Sequence, residues 1–201
     1  QASQEAADEL GNCEITFADG KNDATTQASQ IDTFIAQDVD AIILTAAVSD
    51  PMLPSIKKIN DAGIPLIIVD RRILPQGQDV TWDCYVTWDM VLSGTYGAEQ
   101  TIEALGGAGN AEGKVVVVEG TAGAGSTIDR GGAYYAKLEE EPGVEVIYKV
   151  DGDFDRTKGM EVTETILQRY PNAGDFDVIY YMNDEMALGG LQAIEAAGRL
   201  G

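Results

Sequence analysis

Five apolar runs in this chain end in side chains suited to holding a hydroxyl-rich ligand. IILT ends at Thr45, and LIIV runs into Asp70, Arg71 and Arg72. VVVVEG meets a glycine-rich loop and then Arg130, IYKVDGDF offers Asp153 and Phe154, and IYYM hands over to Asn183, Asp184 and Glu185. Carboxylates accept hydrogen bonds, guanidinium groups donate in a fixed fork, and an amide does both. An aromatic face covers the apolar side of a ring. Each residue also has a structural reading. Asp70 beside Arg71 could be a surface ion pair worth little, Arg130 a solvated helix residue, Phe154 core packing, and Asn183 a helix cap. Arg72 and Arg156 read as structural or solvated, not as ligand-binding.

The same residues exclude other chemistries. In EGTAGAGST the glycines fall at 120, 123 and 125 with no lysine before Ser126. A P-loop needs that lysine to reach phosphates, and a dinucleotide fingerprint needs a different glycine spacing. There is no histidine in the chain. That removes Ser-His-Asp and Cys-His nucleophiles, and with only Cys13 and Cys84 it removes a tetrahedral zinc site. The two cysteines read as buried thiols. A carboxylate pair could do acid–base work, but none is singled out, so neither an enzyme nor a cofactor or metal site is expected.

Charge narrows the partners. Thirteen basic against 34 acidic residues give a net charge of −21. Such a surface repels nucleic acid and anionic membranes, whose binding depends on Lys and Arg neutralising phosphates. Asp outnumbers Glu and Lys is scarce, the balance a salt-rich medium favours. No stretch approaches the roughly 18 apolar residues of a membrane span. The chain begins at Gln1 with no leader visible, and reads as a mature or trimmed product.

The elements that must position these residues alternate. Apolar runs rich in Val, Ile and Tyr cover 13–19, 40–45, 65–70, 84–88, 114–119, 145–150 and 177–182. Helical spacing lies between most of them. Ile31, Phe34 and Ile35 share one face, as do Met52, Ile56 and Ile59. Met160, Thr163, Ile166 and Leu167 form another, and Met186, Ala187, Gly190 and Ile194 a further one. Strands apolar throughout belong to parallel sheets covered on both sides, so the fold is α/β, built of strand–helix–strand units. Gly63, Gly106 and Gly107 end helices. The pattern starts again after residue 112, with a helix over 89–105 between the halves. This predicts two lobes, 1–88 and 89–201. A helix over 128–138 carries Gly131 and Gly132, which predicts close packing or close approach of a ligand there. In parallel sheets ligands bind beyond the carboxyl ends of strands, where the polar residues sit.

VDR at 69–71, DFDRTKG at 153–159 and NDEMALG at 183–189 carry a resemblance to the ribose-binding-type periplasmic proteins that covers nearly the whole chain. It implies the two-lobed type I periplasmic binding protein fold, with parallel sheets flanked by helices. It also implies a solute-binding component that closes on a monosaccharide (a pentose, hexose or inositol) for an ABC importer. By position, Asp70 and Arg71 match the pair that bonds sugar hydroxyls and ring oxygen. Arg130 matches the second sugar-binding arginine, Asn183 the asparagine and Phe154 the stacking aromatic. Thr45 stands where ribose proteins carry asparagine, which leaves the sugar open. The implied partners are the transporter's membrane subunits and, in some members, a chemotaxis receptor; no nucleic acid is implied, and the protein would be a monomer. The implied location is periplasmic or extracellular, with a lipid anchor in some members. Family members begin with a further strand and continue with further strands, so both lobes would be incomplete here. In that layout Cys13 and Cys84 lie on opposite sheet edges, too far apart for a bridge. The effector domain of a LacI-type repressor shares the fold and is the alternative; a receptor for a furanosyl signal ranks third.

Overall fold

The computed structural model describes residues 2–200. Two parallel three-stranded sheets organise them. The first has the order β1-β2-β3, with β1 at Ile42–Leu44, β2 at Leu66–Val69 and β3 at Cys84–Val86. The second places β4 (Gly113–Glu119) between β5 (Val144–Asp151) and β6 (Val178–Tyr181). Val115, Val116, Val117 and Val118 of β4 are fully buried. A strand covered on both faces has no use for polar residues, and branched valines pack well on the pleat.

Helices α1 (Ala2–Leu10) and α2 (Ala24–Ala36) precede β1, and a 3-10 turn (Asp50–Met52) leads into α3 (Leu53–Asp61). Helix α4 (Met90–Ala104) joins the sheets; α5 (Gly125–Leu138), α6 (Arg156–Arg169) and α7 (Asp184–Ala196) follow β4, β5 and β6. Local residues encode several of these starts. The side chains of Asp23, Asp89, Asp155 and Asn183 accept from the backbone N–H of Thr26, Leu92, Lys158 and Met186 at 2.7, 2.8, 2.8 and 3.0 Å. Each cap satisfies an otherwise orphaned donor, worth about 1 kcal/mol.

Each sheet has its own core. Ile31, Met52, Ile56 and Ile59 close over the first sheet. Tyr134, Ile166 and Met186 close over the second. Helix α4 packs on α5 and touches β6, so it belongs with the second sheet. The crossing is tight, because a Cβ at Gly94 would overlap the carbonyl of Arg130.

Some expectations are corrected. Residues 13–19 form no strand; the segment is irregular and mostly exposed, with Phe17 62% exposed. A strand needs a neighbour about 4.8 Å away, and no described strand lies on the outer side of β1, where Ile43 is 60% exposed. Cys13 and Cys84 are exposed free thiols, not buried ones. Cys13 sits on that irregular segment, and Cys84 points outward from edge strand β3. Helix α5 starts at Gly125, earlier than expected. A Cβ at Gly131 would press on the terminal methyl of Met182, whereas Gly132 faces open space and nothing in the structure explains it.

Candidate ligand-binding site

Asp70, Asp153 and Phe154 sit just past β2 and β5, and all three adopt left-handed backbone at φ 66°, 55° and 58°. Such a conformation is unusual for residues other than glycine, most of all for a bulky one, and persists where the surroundings impose it. The surroundings are visible. The Asp70 amide donates to the Val86 carbonyl at 2.9 Å, and its own carbonyl accepts from Tyr85 Oη at 3.1 Å and Thr87 Oγ1 at 2.9 Å. Three bonds therefore fix the Asp70 backbone. Among the described residues no hydrogen bond reaches its carboxylate.

Phe154 is placed by its neighbours too. Its ring lies over Gly120, where any Cβ would overlap the ring. The Asn183 amide nitrogen donates to the Phe154 carbonyl at 3.3 Å, while its oxygen caps α7. Asn183 thus ties the end of β6 to the turn after β5. The guanidinium carbons of Arg71 and Arg130 stand 5.2 and 5.8 Å from the Phe154 ring centre. Two cations thus stand within about 6 Å of one aromatic ring, a favourable electrostatic arrangement.

The two arginines are held differently. Arg71 Nη1 donates to Asn22 Oδ1 and to the Ala47 carbonyl, both at 2.7 Å. Arg130 is 6% exposed; its Nε donates to Ser93 Oγ at 3.3 Å and its Nη2 to the Met90 sulfur at 3.0 Å. A thioether is a weak acceptor, so this buried guanidinium retains donors for a better partner. Burial pulls the proton affinity of both arginines down; Asp70 and Asp153 oppose this at Arg71, and Tyr180, Asp70 and Asp184 at Arg130. Both remain cationic, since arginine does not deprotonate in proteins.

A cleft of about 440 Å³ opens between these groups. Asp70, Arg71, Arg130, Phe154 and Asn183 line it together; Thr45 does not. Thr45 is exposed past the end of β1, where its carbonyl accepts from Gln27 Nε2 at 2.8 Å. Arg72 pairs with Asp129 and Arg156 with Glu185, neither arginine lining the cleft. Ser93, Ser126 and Met90 also line it and were missed from sequence. They lie within helices, where nothing in local spacing marks them out. The Ser126 hydroxyl has no hydrogen-bond partner and is alone in this among the buried side chains described. Among the described residues no group of three possible metal ligands occurs, and no helix is long and apolar enough to cross a membrane.

Two lobes of parallel sheet with a polar cleft between strand ends are the architecture of periplasmic binding proteins. The chain matches the periplasmic binding protein domain across residues 1–201 and belongs to that family. It is 33% identical over 185 residues to the ribose import binding protein of Bacillus subtilis, covering 92% of this chain and 56% of the relative. The galactofuranose-binding protein YtfQ of Escherichia coli is 32% identical over 184 residues, covering 92% and 57%. Among solved structures, a galactofuranose binding protein superposes with TM-score 0.87 at 30% identity, over 96% of this chain and 64% of that one. A Bacillus halodurans ABC transporter solute binding protein with bound myo-inositol gives 0.86 at 33% identity, over 99% and 66%. The chain spans little more than half the length of the two curated relatives.

Proposed function

We propose that this chain is the cleft-forming part of an extracytoplasmic solute-binding protein. It captures a monosaccharide or related polyol (a pentose, hexose or inositol) between lobes 1–88 and 89–201 and presents it to the membrane subunits of an ABC importer. The observation that carries this reading is the set of groups converging on one cleft: an Asp70 carboxylate that accepts no hydrogen bond among the described residues, a half-buried arginine at 71 and a buried one at 130, an amide and an aromatic ring. A neutral polyol supplies donors and acceptors to match. Asp70 accepts from ligand hydroxyls, Arg71 and Arg130 donate to ligand oxygens, Phe154 covers an apolar ring face, and Asn183 offers its remaining amide proton. Charge-assisted bonds of this kind are the stronger ones. Thr45, outside the lining, is an indirect determinant at most.

Relatives that bind ribose, galactofuranose and xylitol support the class of ligand. The reading makes the protein a non-enzymatic, monomeric receptor, outside the cytoplasm and in reach of a chemotaxis receptor. The LacI-type repressor alternative is not favoured, because the relatives are binding proteins. Thermal melting of the protein from its complete reading frame, against D-ribose, L-arabinose, D-galactose, xylitol and myo-inositol, tests the reading. A ligand at 100 times its Kd adds about 2.7 kcal/mol, a shift of several degrees. If none of these raises the melting temperature, the polyol reading is wrong.

A further inference from the structure

Arg72 and Asp129 are each the immediate neighbour of a cleft residue, yet neither lines the cleft. Arg72 follows Arg71 at the end of β2, and Asp129 precedes Arg130 on α5. They meet across the two sheets as a bidentate pair: Arg72 Nε donates to Asp129 Oδ2 at 2.8 Å, and Arg72 Nη2 donates to Oδ1. The Asp129 side chain is only 14% exposed and that of Arg72 42%. This is the fork-on-carboxylate geometry that gives ion pairs both strength and direction.

Three further contacts join the same two parts. The Ser49 amide donates to the Gly123 carbonyl at 3.2 Å, and Asn22 Nδ2 donates to Thr121 Oγ1 at 2.9 Å. At Gly125, the first residue of α5, a Cβ would overlap the Arg72 carbonyl. The backbone of one lobe therefore rests directly against the helix start of the other. Asn22 is also the residue that holds Arg71 Nη1. The contacts that join the lobes and those that aim Arg71 thus share Asn22.

We infer that Arg72 and Asp129 are positioning residues that hold the lobes in the ligand-gripping arrangement and set affinity without touching the ligand. The inference rests on the proposed function. The physical basis is population shift: apparent affinity falls with the fraction of molecules in the binding-competent state, and hinge closure is how two-lobed receptors reach that state. Removing the pair lowers the closed fraction, and because a closed cleft retains its ligand, the loss falls mainly on the release rate.

The test uses the sugar that stabilises the wild-type protein most in the panel above, with Kd by calorimetry and release rate by stopped-flow fluorescence. Asp129→Asn is expected to raise Kd roughly five- to tenfold, allowing for partial exposure of the pair, with most of the change in release. Gly125→Ala, which wedges the lobes without altering charge, acts in the same direction. The double exchange Arg72→Asp with Asp129→Arg recovers at least half of the lost affinity on the logarithmic scale. A purely structural pair would instead lower the ligand-free melting temperature while leaving Kd unchanged, and that result overturns the inference. So does a charge exchange that fails to recover affinity while its melting temperature stays at the wild-type value. If wild type binds no sugar of the panel, the functional reading fails and the inference falls with it; if wild type binds and Asp129→Asn binds equally well, only the inference fails.

Discussion

Ser126 shows how far a single residue can be read. Its hydroxyl is buried and unpartnered in the wall of the cleft. A buried hydroxyl without a partner costs about 1–3 kcal/mol, so Ser126→Ala is expected to leave the melting temperature of the ligand-free protein unchanged or higher. A fall of several degrees would show a bond that the arrangement does not contain. Asp151 makes a complementary case. Its side chain is exposed, yet partial desolvation and the neighbouring carboxylates of Glu119 and Asp153 still raise its proton affinity, a shift that solvent keeps modest. A carboxyl with a raised folded-state value favours the folded protein below its unfolded value and withdraws that support as pH rises through the folded one. Asp151→Asn should therefore raise the melting temperature at pH 7 and leave it unchanged near pH 3. Equal effects at both pH values would rule out that electrostatic cause. Residue types at and beyond strand ends pointed to Asp70, Arg71, Arg130, Phe154 and Asn183, which the structure gathers on one cleft, and to Thr45, which it leaves outside. Ser126 and Ser93 were not legible in the sequence, because a serine inside a helix carries no mark of what tertiary packing brings beside it.

At the scale of elements, the strongly patterned pieces were readable and the weakly supported ones were not. The valine run of β4 and the Asn183 handover to α7 follow from local sequence alone. The segment 13–19 has a strand-like composition, yet takes no ladder position, because a strand is defined by its neighbour as much as by its residues. The turn between β4 and α5 matters most for the site. Gly120 follows β4 directly against Phe154, so Gly120→Ala displaces the ring that the two arginines approach. Binding of the responding sugar is expected to weaken by about tenfold or more, the scale of a lost aromatic contact. Unchanged affinity in a folded variant would show that Phe154 does not cover the ligand. The glycine spacing after β4 argues against a phosphate cradle from sequence alone. That the loop also brings the start of α5 against Arg72 was not legible there, since that contact joins residues far apart in sequence.

For the whole molecule, charge and lobe arrangement set the expectations. A net charge of −21 makes self-repulsion a standing cost, which salt screens over about 10 Å at 0.1 M and about 3 Å at 1 M. The melting temperature should climb steadily between low and molar sodium chloride; a flat profile would mean the acidic groups are spread too widely to repel. Trp88 lines the cleft and is 62% exposed, whereas Trp82 packs against the first core. Ligand should therefore shift Trp88 emission to the blue, and Trp88→Phe should abolish the signal while Trp82→Phe keeps it. In the proposed function Asp70 and Arg130 grip a neutral polyol from opposite lobes, and calorimetric titration of variants at both positions reads that grip. With the sugar that stabilises the protein, Asp70→Ala and Arg130→Ala should each weaken binding by roughly ten- to a hundredfold, the scale of a charge-assisted bond lost in a buried site. Wild-type affinity in both folded variants would overturn the proposed site, because the ligand would then bind somewhere other than this cleft.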